Sequence, residues 1–224
     1  MQRVSTPELL DSDACPPAEV EASLRDLSRI NRWFGGVATT RSLIERVASA
    51  TGSKHFSMLE VAAGFGEVPK AAGDQLKRKG ITLDVLCLDR VRSHLRNADG
   101  QCAVVADALA LPFPDRSFDL VSCSLFAHHL EPAELARFAS EALRVSRCAV
   151  VINDLVRHPV HLALVYAGFP LMRSYVSRLD GVASVRRAYV PEEIKQILSS
   201  NEGRIEISRH YLFRMGVILW KNGH

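Results

Sequence analysis

Residues 58–66 read Met58-Leu59-Glu60-Val61-Ala62-Ala63-Gly64-Phe65-Gly66, a mostly apolar run that ends in a glycine-containing turn. The run predicts a buried β-strand over residues 55–62, and the residues after the turn predict a helix over 68–79. Glycines in such a turn let backbone N–H groups approach a ligand, which in an α/β sheet binds beyond the carboxyl ends of the strands. The stretch therefore predicts an α/β fold with a nucleotide-type cofactor at this turn.

The turn does not fit a dinucleotide. A dinucleotide-binding turn reads G-x-G-x-x-G, and counted from Gly64 the third glycine position holds Pro69. The carboxylate of Glu60, inside the strand, would also repel a phosphate and suits a cationic ammonium group. The pattern therefore argues against a nicotinamide dehydrogenase.

The rest of the chain alternates short apolar strands with helices, which predicts a mostly parallel sheet with helices on both faces. The last two strands follow each other with almost no connection, so we expect them to be antiparallel neighbours. The prediction is a seven-stranded α/β sheet with an antiparallel last strand. The further strands are expected at residues 82–88, 101–105, 118–124, 148–153, 205–208 and 213–220, with helices over 91–97 and 133–145.

Composition sets the broad class. The chain has 224 residues, of which 47% are hydrophobic and 24% charged, as is typical of a folded protein. We expect one domain, with a loose lead-in over 1–24, N-terminal helices over 25–50 and a lid-like insertion over 155–188. The net charge of +3 is small, so nucleic-acid binding would need a local basic cluster. Five cysteines without a C-x-x-C pair predict neither disulfides nor zinc, and favour a reducing cytoplasm.

Four motifs occur in an order that resembles one family. Residues 60–66 look like the first motif of class I methyltransferases that use S-adenosylmethionine (SAM), with Ala62 in place of the usual first glycine. Asp89 ends the second predicted strand, Asp107 follows the third, and residues 106–121 are similar to the stretch before the fourth strand of small-molecule methyltransferases. The resemblance covers about residues 57–153 and implies a Rossmann-like fold.

The resemblance also implies a cofactor site for SAM. In the family the second acid takes both ribose hydroxyls, and the acid after the third strand contacts the adenine amino group. The cofactor-binding residues implied here are Glu60, Ala62, Gly64, Gly66, Asp89, Arg90, Asp107, Ala108 and Ser124. Taken singly, each acid is also explained as a strand-end acid, a helix cap or a turn former.

The loop after the fourth strand carries the predicted catalytic residues. It reads Ser124-Leu125-Phe126-Ala127-His128-His129-Leu130, and the family often has a histidine pair here. Transfer of a methyl group to a hydroxyl needs a base, for which histidine is suited near neutral pH. We expect His128 or His129 to be that base, with packing or capping of the next helix as the alternative for either.

Several residues farther along are predicted to bind the acceptor. Residues 180–189 and 191–193 resemble a subgroup of bacterial small-molecule methyltransferases linked to polyketide or quinone-type pathways. The predicted acceptor-binding residues are Asn153, Arg157, Tyr175, Arg186 and Tyr189. Backbone satisfaction at the strand end is the alternative for Asn153, and a solvated surface is the alternative for the arginines. No acidic cluster indicates a metal site.

The sequence therefore predicts O-methylation of a small phenolic, quinol or polyketide-like acceptor, with a carbon or nitrogen acceptor left open. A SAM-binding protein that transfers no methyl group, such as a cyclase or an auxiliary subunit, is the alternative. A nucleic-acid methyltransferase is disfavoured because the fourth strand ends in Ser122-Cys123-Ser124-Leu125 and not in an Asn/Asp-Pro-Pro-aromatic tetrapeptide. We expect no nucleic-acid partner and no membrane span, and either a monomer or a homodimer.

Overall fold

A computed structural model describes residues 1–11, 15–95, 102–201 and 203–222, and within them seven strands form one sheet. The order is β3-β2-β1-β4-β5-β7-β6, with β1 to β5 parallel and β7 antiparallel to both of its neighbours. The predicted fold class is confirmed. The strands are β1 His55–Val61, β2 Thr82–Asp89, β3 Cys102–Val105, β4 Phe118–Ser124, β5 Ser146–Leu155, β6 Arg204–His210 and β7 Arg214–Trp220.

Helices cover both faces of this sheet. Strand residues alternate between the faces, so Phe56 and Met58 pack with α2 and α3 while Leu59 and Val61 pack with α4 and α7. The helices are α1 Pro17–Trp33, α2 Gly36–Thr51, α3 Glu67–Lys77, α4 Pro132–Val145, α5 Pro159–Ala167, α6 Tyr175–Arg187 and α7 Pro191–Leu198. In the described part of the chain, no helix is long and apolar enough to cross a bilayer.

The predicted helix over 91–97 is a 3₁₀ turn where the structure describes it. A 3₁₀ turn covers Arg92–Leu95, whereas the last two predicted positions, 96 and 97, lie outside the described residues. The first position of the predicted strand over 101–105 also lies outside them, and β3 is described from Cys102.

The expectation of a loose lead-in over residues 1–24 is wrong. Residues from Pro17 onward already form α1, and the N-terminal segment (residues 1–11) lies against α6. The carboxylate of Asp180 accepts hydrogen bonds from the backbone N–H groups of Leu9 (2.8 Å) and Leu10 (3.1 Å). The sequence of the segment is polar and irregular, and a contact with a residue about 170 positions away has no local signal.

Arg214, at the start of β7, fastens the N-terminal helices to the sheet. Its guanidinium is 2% exposed and donates to the side-chain oxygens of Asn31 (2.7 Å) and Asn153 (3.3 Å) and to the carbonyl oxygen of Phe34 (3.2 Å). Burial lowers the pKa of Arg214 to about 10, although the charge of Asp154 opposes this. The guanidinium therefore serves the side-chain oxygens of two buried asparagines.

Arg214→Met is therefore expected to lower the free energy of unfolding by about 2–4 kcal/mol, because it leaves several buried oxygens without donors. Urea unfolding followed by circular dichroism measures the loss. Arg209→Met, at an exposed position of β6, is the matched control and should change stability by less than about 0.5 kcal/mol. Equal stability of the two variants would contradict this role for Arg214.

Candidate active site

A cavity of about 370 Å³ lies at the carboxyl ends of β1, β2 and β4. All the predicted cofactor and catalytic residues except Gly66 line it, namely Glu60, Ala62, Gly64, Asp89, Arg90, Asp107, Ala108, Ser124, His128 and His129. Gly66 lies one step behind, as the residue that precedes α3. The fold thus brings together residues from four separate loops.

The turn after β1 has the backbone shape that its glycines indicate. Gly64 and Gly66 have φ angles of 54° and 67°, in the left-handed region. Ala62 has a φ of 53°, a conformation that costs a residue with a Cβ about 1–2 kcal/mol. Alanine at the usual glycine position is therefore accommodated with strain, as happens at functional sites.

Glu60 presents a carboxyl group with one unbonded oxygen to the cavity. The residue is 1% exposed, and its Oε2 has no hydrogen-bond partner among the described residues. Burial raises the pKa of Glu60 to about 7, and the hydroxyls of Ser122 and Ser124 offset this only in part. Because a buried charge is costly unless it is paired, this position suits an ammonium group on a ligand.

Asp89 is held as a carboxylate at the end of β2. Its oxygens accept from the backbone N–H groups of Gly64 (3.0 Å) and Val91 (2.9 Å), and His94 Nδ1 lies 3.5 Å away. Burial alone would raise the pKa of Asp89, but His94 and these two N–H groups bring it below the usual value. Each oxygen keeps a lone pair for a ligand hydroxyl.

Asp107 lies at the cavity rim and is exposed. Its Oδ1 accepts a hydrogen bond from the backbone N–H of Leu109 at 2.8 Å. This is the local bond expected if Asp107 acts as a turn former, the alternative to cofactor binding. Its other oxygen accepts no hydrogen bond from the residues that the structure describes, so the turn bond and a contact with a ligand are compatible.

Two adjacent histidines face the same carboxylate at the other end of the cavity. His128 is buried, with Nδ1 2.6 Å from Asp154 Oδ1 and Nε2 3.3 Å from Glu8 Oε1. His129 has Nδ1 2.7 Å from Asp11 Oδ1 and Nε2 3.6 Å from Glu8 Oε2. We call Glu8, His128 and His129 the histidine cluster.

The charges around the histidines separate their roles. Burial alone would lower the pKa of His128, but Asp154, and then Glu8, raise it to about 10. Burial likewise opposes the charge of Glu8, yet His128 and then His129 lower its pKa below the usual value. His128 is thus cationic near neutral pH and cannot accept a proton, which leaves His129 as the candidate base.

Sequence reasoning missed the acids of this site. Glu8 and Asp11 come from the N-terminal segment, which also contacts the second strand's loop through a bond from Arg90 to the carbonyl oxygen of Asp11 (3.2 Å). Asp154 was visible as a polar residue at the end of β5, and it also accepts the backbone N–H of His128 at 3.0 Å. The N-terminal segment, rather than the insertion over 155–188, closes this end of the cavity, since Ser184 is the part of that insertion that lines it.

The predicted acceptor-binding residues do not line the cavity. Asn153 Nδ2 donates to the carbonyl oxygen of Gly36 and to Thr40 Oγ1, both at 2.9 Å. Arg157 forms an ion pair with Glu193 (2.6 Å). Both side chains therefore connect the end of β5 to neighbouring helices, which corrects the prediction that they face the crevice.

The other three predicted acceptor residues are also placed elsewhere. Tyr189 is buried and its hydroxyl donates to the carbonyl oxygen of Leu130 at 2.7 Å, with the guanidinium of Arg3 over its ring. Tyr175 and Arg186 are exposed on α6. Tyr189 is therefore part of the support behind the histidine loop, and the other two face solvent.

Comparison with known proteins gives the enzyme class. Residues 59–149 match the methyltransferase domain family, a segment that spans Glu60, Asp89 and both histidines. The match covers 91 of the 224 residues, and together with the fold it supports a SAM-dependent methyltransferase. The predicted cofactor is thus confirmed, and the unpaired Glu60 and the ionised Asp89 fit its ammonium group and ribose. No curated protein matches the whole sequence significantly.

Solved structures share the fold at low sequence identity. A SAM-dependent methyltransferase from Aquifex aeolicus has a TM-score of 0.61 at 16% identity, covering 92% of this chain and 98% of its own. An O-methyltransferase family 2 protein from Planctomyces limnophilus, solved with apigenin, scores 0.64 at 18% identity over 94% of this chain and 63% of its own. A plantazolicin methyltransferase solved with a desmethyl analogue and S-adenosylhomocysteine (SAH) scores 0.70 at 12% identity over 90% of both chains.

Proposed function

We propose that the protein transfers the methyl group of SAM to a hydroxyl oxygen of a small, largely apolar acceptor of phenolic, quinol or polyketide-like type. The observation that carries the proposal is the single cavity that joins the acids of the cofactor end to Nε2 of His129. A reaction of this kind needs a cofactor site and a base in one enclosed space.

The cofactor end is assigned from the roles that the family resemblance implies, and the acids of this chain suit them. Glu60 pairs with the ammonium group, Asp89 accepts from the ribose hydroxyls and Asp107 accepts from the adenine amino group. The turn from Ala62 to Gly64 lies between the first two acids and contributes backbone atoms at close approach. When bound, SAM supplies a methyl group on a sulfonium sulfur.

The proton is assigned to His129. Its Nδ1–H donates to Asp11, which leaves the lone pair on Nε2. Transfer of the methyl group from the sulfonium sulfur to the hydroxyl oxygen would give SAH and the methyl ether, and Nε2 of His129 would accept the hydroxyl proton. Asp11 and Glu8 then stabilise the imidazolium, while cationic His128 holds Glu8 in place.

An apolar acceptor fits the lining around His129. Leu10, Leu125 and Phe126 line the cavity beside it, and the ring of Phe126 stacks on that of His129 at 21° and 6.3 Å. The Planctomyces relative was solved with apigenin, a phenol, which supports an aromatic hydroxyl as the acceptor.

The experiment that tests the proposal is incubation of the protein with methyl-labelled SAM and a panel of phenols, quinols and flavonoids. We expect label in a product one methyl group heavier than the acceptor, together with one equivalent of SAH. The same acceptors with their hydroxyls already methylated are the control and should take up no label. Tight SAM binding without product from any member would instead favour a SAM-binding protein that transfers no methyl group.

The affinity for SAM should depend on pH through Glu60. In the free protein burial raises the pKa of Glu60 to about 7, whereas a bound ammonium group favours the carboxylate and lowers that pKa. The affinity is therefore full above about pH 7 and falls about tenfold for each pH unit below it, as the free protein takes up the proton that binding must release.

Calorimetry in buffers of different ionisation enthalpy measures this proton release. Glu60→Gln should abolish the release and raise the Kd about tenfold or more at pH 8. Glu134→Gln, which also removes a carboxylate from the cavity lining, is the matched control. The pairing of Glu60 with the ammonium group would be contradicted if the Kd for SAM stayed constant between about pH 5.5 and pH 8.

A further inference from the structure

Three donor atoms of the histidine cluster converge on one point. Nε2 of His128 lies 3.3 Å from one oxygen of Glu8, and Nε2 of His129 lies 3.6 Å from the other. The three ligand atoms lie within 4.8 Å of one another, and all three residues line the cavity. The two histidine rings, 4.3 Å apart at their centroids, therefore direct their outer nitrogens toward the same carboxylate.

These separations match those of a zinc site. Zn²⁺ binds histidine nitrogen at about 2.0–2.1 Å and carboxylate oxygen at about 2.0–2.2 Å, usually as a tetrahedron. Ligand atoms of such a tetrahedron are about 3.3–3.5 Å apart. The contacts of Glu8 with His128 (3.3 Å, through Oε1) and His129 (3.6 Å, through Oε2) are close to this spacing, and the three ligand atoms lie within 4.8 Å of one another, so a bound cation would draw them together.

A second observation points to a ligand here. Nε2 of His128 is buried, and its contact with Glu8 at 3.3 Å is an ion pair without the geometry of a hydrogen bond. A cation bound there would displace the proton of Nε2, as metal binding to histidine does. The other nitrogen, Nδ1, is satisfied by Asp154 at 2.6 Å. A histidine whose inner nitrogen is bound to a carboxylate and whose outer nitrogen lacks a hydrogen bond has the orientation of a metal ligand.

Both histidines have this supporting carboxylate. Asp154 holds Nδ1 of His128 and Asp11 holds Nδ1 of His129, at 2.6 and 2.7 Å. Carboxylates that hold the far nitrogen of ligating histidines fix the ring orientation and raise the basicity of the ligand. The cluster thus has two imidazoles, one carboxylate and two supporting acids.

We propose that Glu8, His128 and His129 form a site for a divalent cation of the zinc type, which joins the N-terminal segment to the histidine loop. Imidazole and carboxylate together suit Zn²⁺, Co²⁺ or Ni²⁺ better than Mg²⁺ or Ca²⁺, which prefer oxygen ligands. The fourth position faces the cavity and is left for water.

A cation bound at this site would inhibit the proposed methyl transfer. A cation on Nε2 of His129 takes the lone pair that the proposed proton transfer needs, and its bond to Glu8 holds the N-terminal segment over the acceptor end. The cation-bound form therefore has no free base at His129. Cation binding itself does not depend on the proposed function, because neither SAM nor an acceptor contributes a ligand.

The test is calorimetric titration of the full chain, stripped with a chelator and desalted, with Zn²⁺ alone. We expect one Zn²⁺ per chain with a Kd of about 10 µM or tighter. Glu8→Gln and His129→Gln should each weaken binding at least tenfold, and Asp11→Asn, which removes a supporting acid, about tenfold or more. His94→Gln removes another histidine of the same cavity and should leave the Kd within about twofold.

Thermal unfolding of each variant shows whether it is folded. With Co²⁺ in place of Zn²⁺, the wild-type protein should show the intense visible absorption bands of a tetrahedral site. Wild-type binding weaker than about 10 µM, or Glu8→Gln and His129→Gln binding as tightly as His94→Gln, would overturn the inference. SAM titrated into the same samples separates the two claims. Binding of SAM without binding of Zn²⁺ would contradict the cation site alone. Binding of Zn²⁺ without binding of SAM would contradict the proposed function alone.

Discussion

Replacing His129 with glutamine is expected to lower kcat by about a hundredfold or more while the Kd for SAM stays within about twofold. Glutamine keeps a polar side chain of similar reach but cannot take up the proton of the acceptor hydroxyl. The cofactor contacts lie at the other end of the cavity, on Glu60 and Asp89, and are untouched. Turnover is measured with labelled SAM, and the Kd by calorimetry.

His158→Gln is the matched control for this variant. His158 is exposed, stacks on Phe213 and does not line the cavity, so its kcat should equal that of the wild type within about twofold. Asp11→Asn should fall in between, with a kcat about tenfold lower, because it weakens the hydrogen bond that fixes the tautomer of His129. A His129→Gln enzyme with wild-type kcat would remove His129 from the mechanism.

Asp89→Asn is expected to raise the Kd for SAM about ten- to a hundredfold. The carboxylate is ionised in the folded protein, and each charge-assisted bond it makes contributes about 1.5–3 kcal/mol. The amide presents only one oxygen, so the N–H groups of Gly64 and Val91 and the ribose hydroxyls compete for it. Calorimetric titration with SAM measures the change.

Asp84→Asn provides the comparison on the same strand. Asp84 lies toward the opposite end of β2, where it is exposed and paired with His55 at 3.2 Å, and its loss should leave the Kd for SAM unchanged within about twofold. Equal affinities of the Asp89→Asn and Asp84→Asn proteins would exclude Asp89 from the cofactor site.

Local sequence patterns predict the fold and the cofactor end well. The residues Glu60, Gly64 and Asp89 each sit at the end of a strand that its own apolar run defines, and parallel strands bring such ends to one edge of the sheet. The positions of these residues along the chain therefore predict that they lie close together in the folded protein. The seven strands followed from the alternation of strands and helices, and the antiparallel last strand from the short connection before it, whereas the order of the strands is known from the structure alone.

The acceptor end depends on contacts that no local pattern contains. Glu8 lies about 120 residues before the histidines it faces, and its neighbours resemble a solvated tail. Because the segment's carboxylates were not placed near His128 and His129, the sequence predicted neither an acidic partner nor a metal-type arrangement. It also assigned Asn153 and Arg157 to the acceptor, since position on β5 is visible in sequence while the direction of the side chain is not.

The measurement that tests the account most directly is calorimetric titration of the wild-type protein with SAM, SAH and NADH. We expect saturable 1:1 binding of SAM and SAH with micromolar Kd values, and no heat with NADH, because the turn lacks the third glycine of a dinucleotide site and Glu60 would repel a pyrophosphate. Binding of NADH without binding of SAM would contradict the account, since the acids at the ends of β1 and β2 would then serve a different nucleotide.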